Sequence, residues 1–153
     1  MSNKSFSFDK TLPASTAATA ALLADINAWH SFTDVFGEIE GEPRELEEGY
    51  VVSTKFVITQ AGKPRPQPWS ATIEQLPDPA GDSPTLILQQ AAPGGAMNIR
   101  WVFALTPEGQ ESSKLNITLS ASGWMSWLLW AGFRTAYQDA LQQFAKDAAR
   151  KLG

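Results

Sequence analysis

His30 is the sole histidine of this 153-residue chain. Imidazole moves protons readily near neutral pH, which makes His30 a candidate general base. It has no second histidine with which to share a metal and no motif partner for a nucleophilic triad. Between the aromatics Trp29 and Phe32, its plainer role is structural. Arg134 sits three residues from both Ala131 and Tyr137, where a guanidinium would meet a ligand carboxylate or lie on a solvated helix face. With Tyr137, these residues complete the set that would move protons if the chain catalyses a reaction. Glu38, Glu40, Glu42, Glu45, Glu47 and Glu48 form an acidic run without the spacing of a calcium loop, so a solvated rim is expected. Lys63-Pro-Arg-Pro-Gln-Pro68 lacks a strict Pro-x-x-Pro and is expected to be a stiff loop. The chain has no cysteine, which excludes disulfides, thiolate catalysis and cysteine-held metals. No metal and no cofactor are expected.

The aromatic residues are the stronger functional signal. There are 6 tryptophans, 8 phenylalanines and 2 tyrosines. Trp29, Phe32, Phe56, Trp69, Trp101, Phe103, Trp130, Phe133 and Tyr137 fall on expected inward faces or at element ends, as do Leu88, Ile99 and Ile117. With Trp127 and Arg134 they form the expected lining of an apolar site. Such rings either wall a cavity or fill a core. Trp124, Trp127, Leu128 and Ala131 follow i, i+3, i+4 and i+7 and make a second stripe at the start of the last helix. That stripe is expected to line a cavity mouth, join a homodimer, touch a membrane surface or lie under loops.

Composition narrows the partners. Apolar residues make up 43% and charged residues 18%, a globular balance, and the length suits one domain over residues 1–153. A net charge of −4 with dispersed Lys and Arg argues against nucleic acid. No charged residue occurs between Lys114 and Arg134. Leu115 to Ser122 alternates with period two, however, so a strand is expected there and not a membrane span. The first ten residues hold no apolar stretch of signal-peptide type, and a cytoplasmic location is expected.

The elements that must position these residues follow from periodicity. Residues 4–12 alternate as a strand and Pro13 stops it. Ala14 to Asp25 is expected to be helical, with a second short helix through Ile26, Ala28 and Trp29. Val35 to Glu40 is a short second strand, with a turn at Gly41-Glu42-Pro43. Four further strands are expected over 49–60, 69–76, 85–90 and 97–105, with a hairpin turn at Pro93-Gly94-Gly95. A last strand covers 114–122, and Gly123 ends it. From Trp124 to Lys151 the period becomes helical: Trp130, Phe133, Tyr137, Leu141, Phe144 and Ala148 share a stripe. The sum is an α+β chain: seven antiparallel strands curved around a long C-terminal helix, with two short helices between strands 1 and 2.

That order resembles the helix-grip superfamily, which includes START lipid-transfer domains, the birch pollen allergen and polyketide cyclase/dehydrase-like SRPBCC proteins. The resemblance lies in the helix introduced by Pro13-Ala14, the stretch Trp29-His30-Ser31-Phe32-Thr33-Asp34, Gly49 before the long third strand, Ile73 and Leu76-Pro77 closing the fourth, and Gly123 before the last helix. Phe32-Thr33-Asp34 stands where the family usually has a tryptophan–proline sequence. The resemblance implies a helix-grip fold and a cavity between sheet and helix for a lipid, sterol or polyketide-like molecule. It leaves a cyclase or dehydratase acting in the same cavity as the alternative. A protein or membrane-surface module using the Trp124–Trp130 face is a third.

Overall fold

The computed structural model describes residues 4–41, 45–91 and 93–153. Strand β1 (Ser5–Leu12) buries Phe6 and Leu12 and exposes Ser7, Asp9 and Thr11, as its alternation requires. Ser15 caps helix α1 (Thr16–Ala24) by accepting the Ala18 N–H at 3.2 Å. A 3₁₀ helix (Ile26–Ser31) follows and buries Ile26 and Trp29.

The expected strand over Val35 to Glu40 does not form as a strand. It makes one isolated bridge, Phe36 to Phe56. Gly37 N donates to Lys55 O at 2.7 Å and Val57 N to Val35 O at 2.8 Å. A ladder would next use the Gly37 carbonyl. The buried Thr54 hydroxyl takes it instead, 2.6 Å from Gly37 O and 3.0 Å from Glu38 O. Side-chain competition of this kind ends regular pairing. The sheet therefore has six strands where seven were expected. Glu42 and Pro43, with the turn expected there, lie outside the described residues.

The remaining strands are β2 (Val51–Gln60), β3 (Lys63–Gln75), β4 (Thr85–Ala91), β5 (Asn98–Gly109) and β6 (Ser112–Ser122). Every pairing is antiparallel, and the spatial order is β1-β6-β5-β4-β3-β2. Lys63 to Pro68, expected to be a loop, is the first half of β3. Alternation explains how three prolines fit inside a strand. The bonds to Lys55 O and from Val57 N turn the odd residues of β2 away from β3. The even residues Thr54, Phe56 and Ile58 therefore face β3 and pair with Trp69, Gln67 and Arg65. Pro64, Pro66 and Pro68 stand opposite Thr59, Val57 and Lys55, where the ladder needs no N–H. The expected turn at Pro93–Gly95 is a short 3₁₀ turn, with Gly94 at a φ of 73°.

Helix α2 (Ser126–Leu152) begins two residues later than the period suggests. Gly123 sets that start. Its φ is 114°, and a Cβ there would stand 2.7 Å from Ala96 O. At about 1.5 Å per residue the helix is roughly 40 Å long. Its buried stripe of Trp130, Ala140, Leu141, Phe144, Ala145 and Ala148 packs on the inner sheet face. Among the described residues no helix is long and apolar enough to cross a membrane. The whole is a helix-grip arrangement.

One buried carboxylate holds the far half of α2 in place. Asp147 accepts from Thr33 Oγ1 at 2.7 Å and from Gln143 Nε2 at 2.9 Å, and it pairs with Arg150 at 3.0 Å. Arg150 also donates to Phe32 O at 3.3 Å. The helix is thereby fixed to the segment after the 3₁₀ helix. Asp147→Ala leaves the buried Thr33 hydroxyl without its acceptor, and should cost about 2–4 kcal/mol in urea unfolding. A loss below about 0.5 kcal/mol would show that the pair acts as a surface bridge.

Candidate functional site

The space between sheet and helix is divided in two. Beneath the later half of α2 it is filled with rings. Trp29 lies 4.9 Å from Phe36 and 4.8 Å from Phe144. Phe36 lies 5.2 Å from both Phe56 and Trp69, and Trp101 lies 5.5 Å from Trp69 and 5.4 Å from Phe56. Many of these contacts are tilted or edge-on, the arrangement that ring quadrupoles favour. Of these rings, Trp69 alone borders one of the described cavities.

Beneath the first half of α2 the packing opens into a cavity of about 440 Å³. Ile58, Gln60 and Gln67 come from the β2–β3 hairpin, and Gln90, Ala91, Met97 and Ile99 from the ends of β4 and β5. The helix supplies Leu128, Leu129, Gly132, Phe133 and Tyr137. Gly132 leaves room: a Cβ there would meet nothing within 4 Å. Tyr137 is where the two halves meet. Its ring lies 5.1 Å from Phe56, 5.7 Å from Trp101 and 4.9 Å from Phe133.

The polar groups of the cavity are neutral. Gln90 Oε1 accepts the Trp101 indole N–H at 3.2 Å, which fixes the amide and leaves its Nε2 to donate. The hydroxyl of Tyr137 makes no hydrogen bond among the described residues. Burial pushes this phenol above its ordinary value of 10.0. No Lys, Arg, Asp or Glu belongs to the described lining.

Of the residues expected to form the site, Ile99, Phe133 and Tyr137 line this cavity. Trp69 lines a neighbouring one. Trp29, Phe32, Phe56, Leu88, Trp101, Phe103, Ile117 and Trp130 are buried in the core. Trp127 and Arg134 lie on the exposed side of α2. His30 is exposed and lines a separate hollow with Asp34, Asp147 and Arg150, toward the opposite end of the helix. The three candidate proton carriers are thus not brought together. Trp124 and Trp127 are 68% and 67% exposed, and Leu128 at the cavity rim is 53% exposed. Glu38, Glu40, Glu45, Glu47 and Glu48 are exposed, and Glu42 lies outside the described residues. Arg100 lies on the outer sheet face, as alternation requires, and pairs with Glu74 at 2.9 Å.

Gln60, Gln67 and Gln90 were not anticipated. Gln90 shares parity with the buried Leu86 and Leu88, so alternation marks it as an inward polar residue. Gln67 shares parity with Trp69, but the signal was masked by the prolines around it.

No protein-family model matches the chain, and no curated protein matches it in sequence. Solved structures do match in fold. Ginseng major latex-like protein 151 from Panax ginseng superposes with a TM-score of 0.70 at 14% identity, covering 96% of this chain and 95% of its own. The Zhui aromatase/cyclase from Streptomyces sp. R1128 gives 0.66 at 14% identity, covering 97% and 95%. A START superfamily protein from Mycobacterium smegmatis gives 0.63 at 15% identity, covering 97% and 99%. At these identities the likeness is one of fold.

The raised Tyr137 phenol has a consequence for stability. Below pH 10 both folded and unfolded chains hold the proton. Above it the unfolded chain releases a proton that the folded chain keeps, so this contribution is lost as pH rises through the folded value. The phenolate absorbance removed by Tyr137→Phe should therefore emerge only above pH 10.0, and emergence at or below that value would contradict the burial of the hydroxyl.

Proposed function

We propose that this chain binds a neutral, apolar or amphipathic small molecule of lipid, sterol or polyketide-like kind in the cavity under the first half of α2. One observation carries the reading. Rings fill the space between sheet and helix under the later half of α2, and about 440 Å³ stays open under the first half, lined by aliphatic and aromatic side chains with a few neutral hydrogen-bonding groups. That combination of size and lining is typical of small-molecule sites. The absence of a charged group from the described lining favours a neutral ligand, because a buried carboxylate without a partner is costly. Trp124, Trp127 and Leu128 supply apolar surface along the rim of the mouth.

Binding is better supported than catalysis. A structural neighbour is an aromatase/cyclase, and Tyr137 places one hydroxyl-bearing side chain in the lining of this cavity. Its raised pKa keeps it protonated near neutral pH and makes it a weak acid, and His30 and Arg134 lie elsewhere. Acid–base work in this cavity would rest on one phenol.

Gly132→Leu tests the reading without disturbing the fold. The side chain enters open space, and leucine is the better helix former. Titration of the intrinsic tryptophan fluorescence with a sterol, an aromatic polyketide and a fatty acid should give saturable binding of a neutral member. Gly132→Leu should weaken it at least about tenfold while the melting temperature holds or rises. Unchanged affinity in that variant would place the ligand somewhere else.

A further inference from the structure

Strand β3 runs on beyond its neighbour. It pairs with β4 at Thr72–Gln89, Ile73–Leu88 and, after a register shift, Gln75–Ile87. Its first nine residues, 63–71, have no partner on that side among the described pairs. A gap between adjacent strands of one sheet normally closes, because unpaired N–H and C=O groups seek each other. Here β4 ends at Ala91, which this register sets opposite Ser70, and prolines keep the remaining edge of β3 poor in donors. Pro64, Pro66 and Pro68 pair with β2 at positions that turn their nitrogens and carbonyls toward the gap. That edge offers three carbonyls and, at those positions, no donor.

A second cavity, of about 710 Å³, lies at this gap. Ser53, Lys55, Pro66, Pro68 and Ser70, all of outward parity, line it. Gln67 and Gln90 line it too, although they share the inward parity of Trp69 and Leu88. Those two glutamines and Ala91 line the helix-side cavity as well. The two cavities therefore share Gln67, Gln90 and Ala91 as a common wall. At the same place Trp69 is 3% exposed, and its indole N–H has no hydrogen-bond partner among the described residues. An unmet buried donor is unfavourable unless something supplies an acceptor. Trp29 and Trp130 also carry unmet indole donors, but neither lines one of the described cavities.

We propose that the binding site passes through the sheet at the β3–β4 gap, so that its ligand has two ends: an apolar body under α2 and a neutral, polyhydroxylated head in the outer lobe. This rests on the binding reading above and specifies the ligand class. The outer lobe is lined by more hydroxyl and charged side chains than the inner one, which has Met97, Ile99, Leu129 and Phe133 in their stead. Ser53 and Ser70 hydroxyls stand 3.5 Å apart across β2 and β3, with the proline carbonyls beside them. Its charges balance, with Lys55 against Glu40, so it favours hydroxyls over an ionised head. The Gln67 and Gln90 amides form the waist.

Matched probes separate the two lobes. The chain is titrated with 1-octanol and with octyl β-glucoside below its micelle concentration, followed by tryptophan fluorescence and calorimetry. The glucoside should bind at least about tenfold more tightly than the alcohol. Ser70→Tyr puts a strand-favouring residue at an exposed position and fills the outer lobe. It should erase the preference for the glucoside and leave octanol affinity unchanged. Equal binding of the two probes, or a preference that survives Ser70→Tyr, overturns the through-sheet site and leaves the helix-side cavity intact. Binding of neither probe overturns both readings.

Discussion

Tyr137 stands at the boundary on which the rest of this structure depends. Its ring completes an aromatic stack that runs through Phe56, Trp101, Trp69, Phe36, Trp29 and Phe144. Rings packed at 5–6 Å leave no room for solvent or ligand, and they bury a large apolar area each. Beyond Tyr137 along α2, toward its start, Trp130 packs on Phe6 and Phe133 on Tyr137, while Gly132 adds no side chain to the space they border. Where side-chain bulk between helix and sheet is missing, empty volume remains. The solid half supplies the stability that lets the other half stay open, and the Asp147 cluster fixes the helix at the solid end.

Close packing and open volume are thus separated along a single helix. At its later half, the helix is an ordinary core element whose polar links hold the 3₁₀ segment in place. At its first half it is one wall of a site. Among the described residues, cations, carboxylates and the histidine lie on outer surfaces or at the far end. The inner polar groups are amides and one phenol, all neutral at physiological pH. Such a lining orients a molecule by hydrogen bonds and excludes charge, which suits recognition of a neutral ligand better than proton transfer.

Two local competitions shape the sheet around that site. The Thr54 hydroxyl takes carbonyls that a seventh strand would have used, which leaves β2 with only a fragment of an outer neighbour. The prolines of β3 take positions that its ladder with β2 does not need, and they leave the opposite edge without donors. Neither effect shows in residue propensity alone. A proline run suggests a broken loop until its phase against a partner strand is known. A short apolar run suggests a strand until a neighbouring hydroxyl claims its carbonyls.

The sequence by itself determined the order of the helices and of the six strands that form, the strand faces and the long helical stripe, because period two and period 3.6 are local properties that burial enforces. It also marked the aromatic residues as inward. Tertiary structure alone decided which of those rings touch one another and which border empty space. Trp101 and Phe103 disappeared into the stack, Trp127 and Arg134 turned outward, and Gln67 and Gln90 came together from strands that never pair at that level. Periodicity assigns a residue to a face but not to a depth. Depth depends on how two curved surfaces meet, and that is a property of elements far apart in the chain.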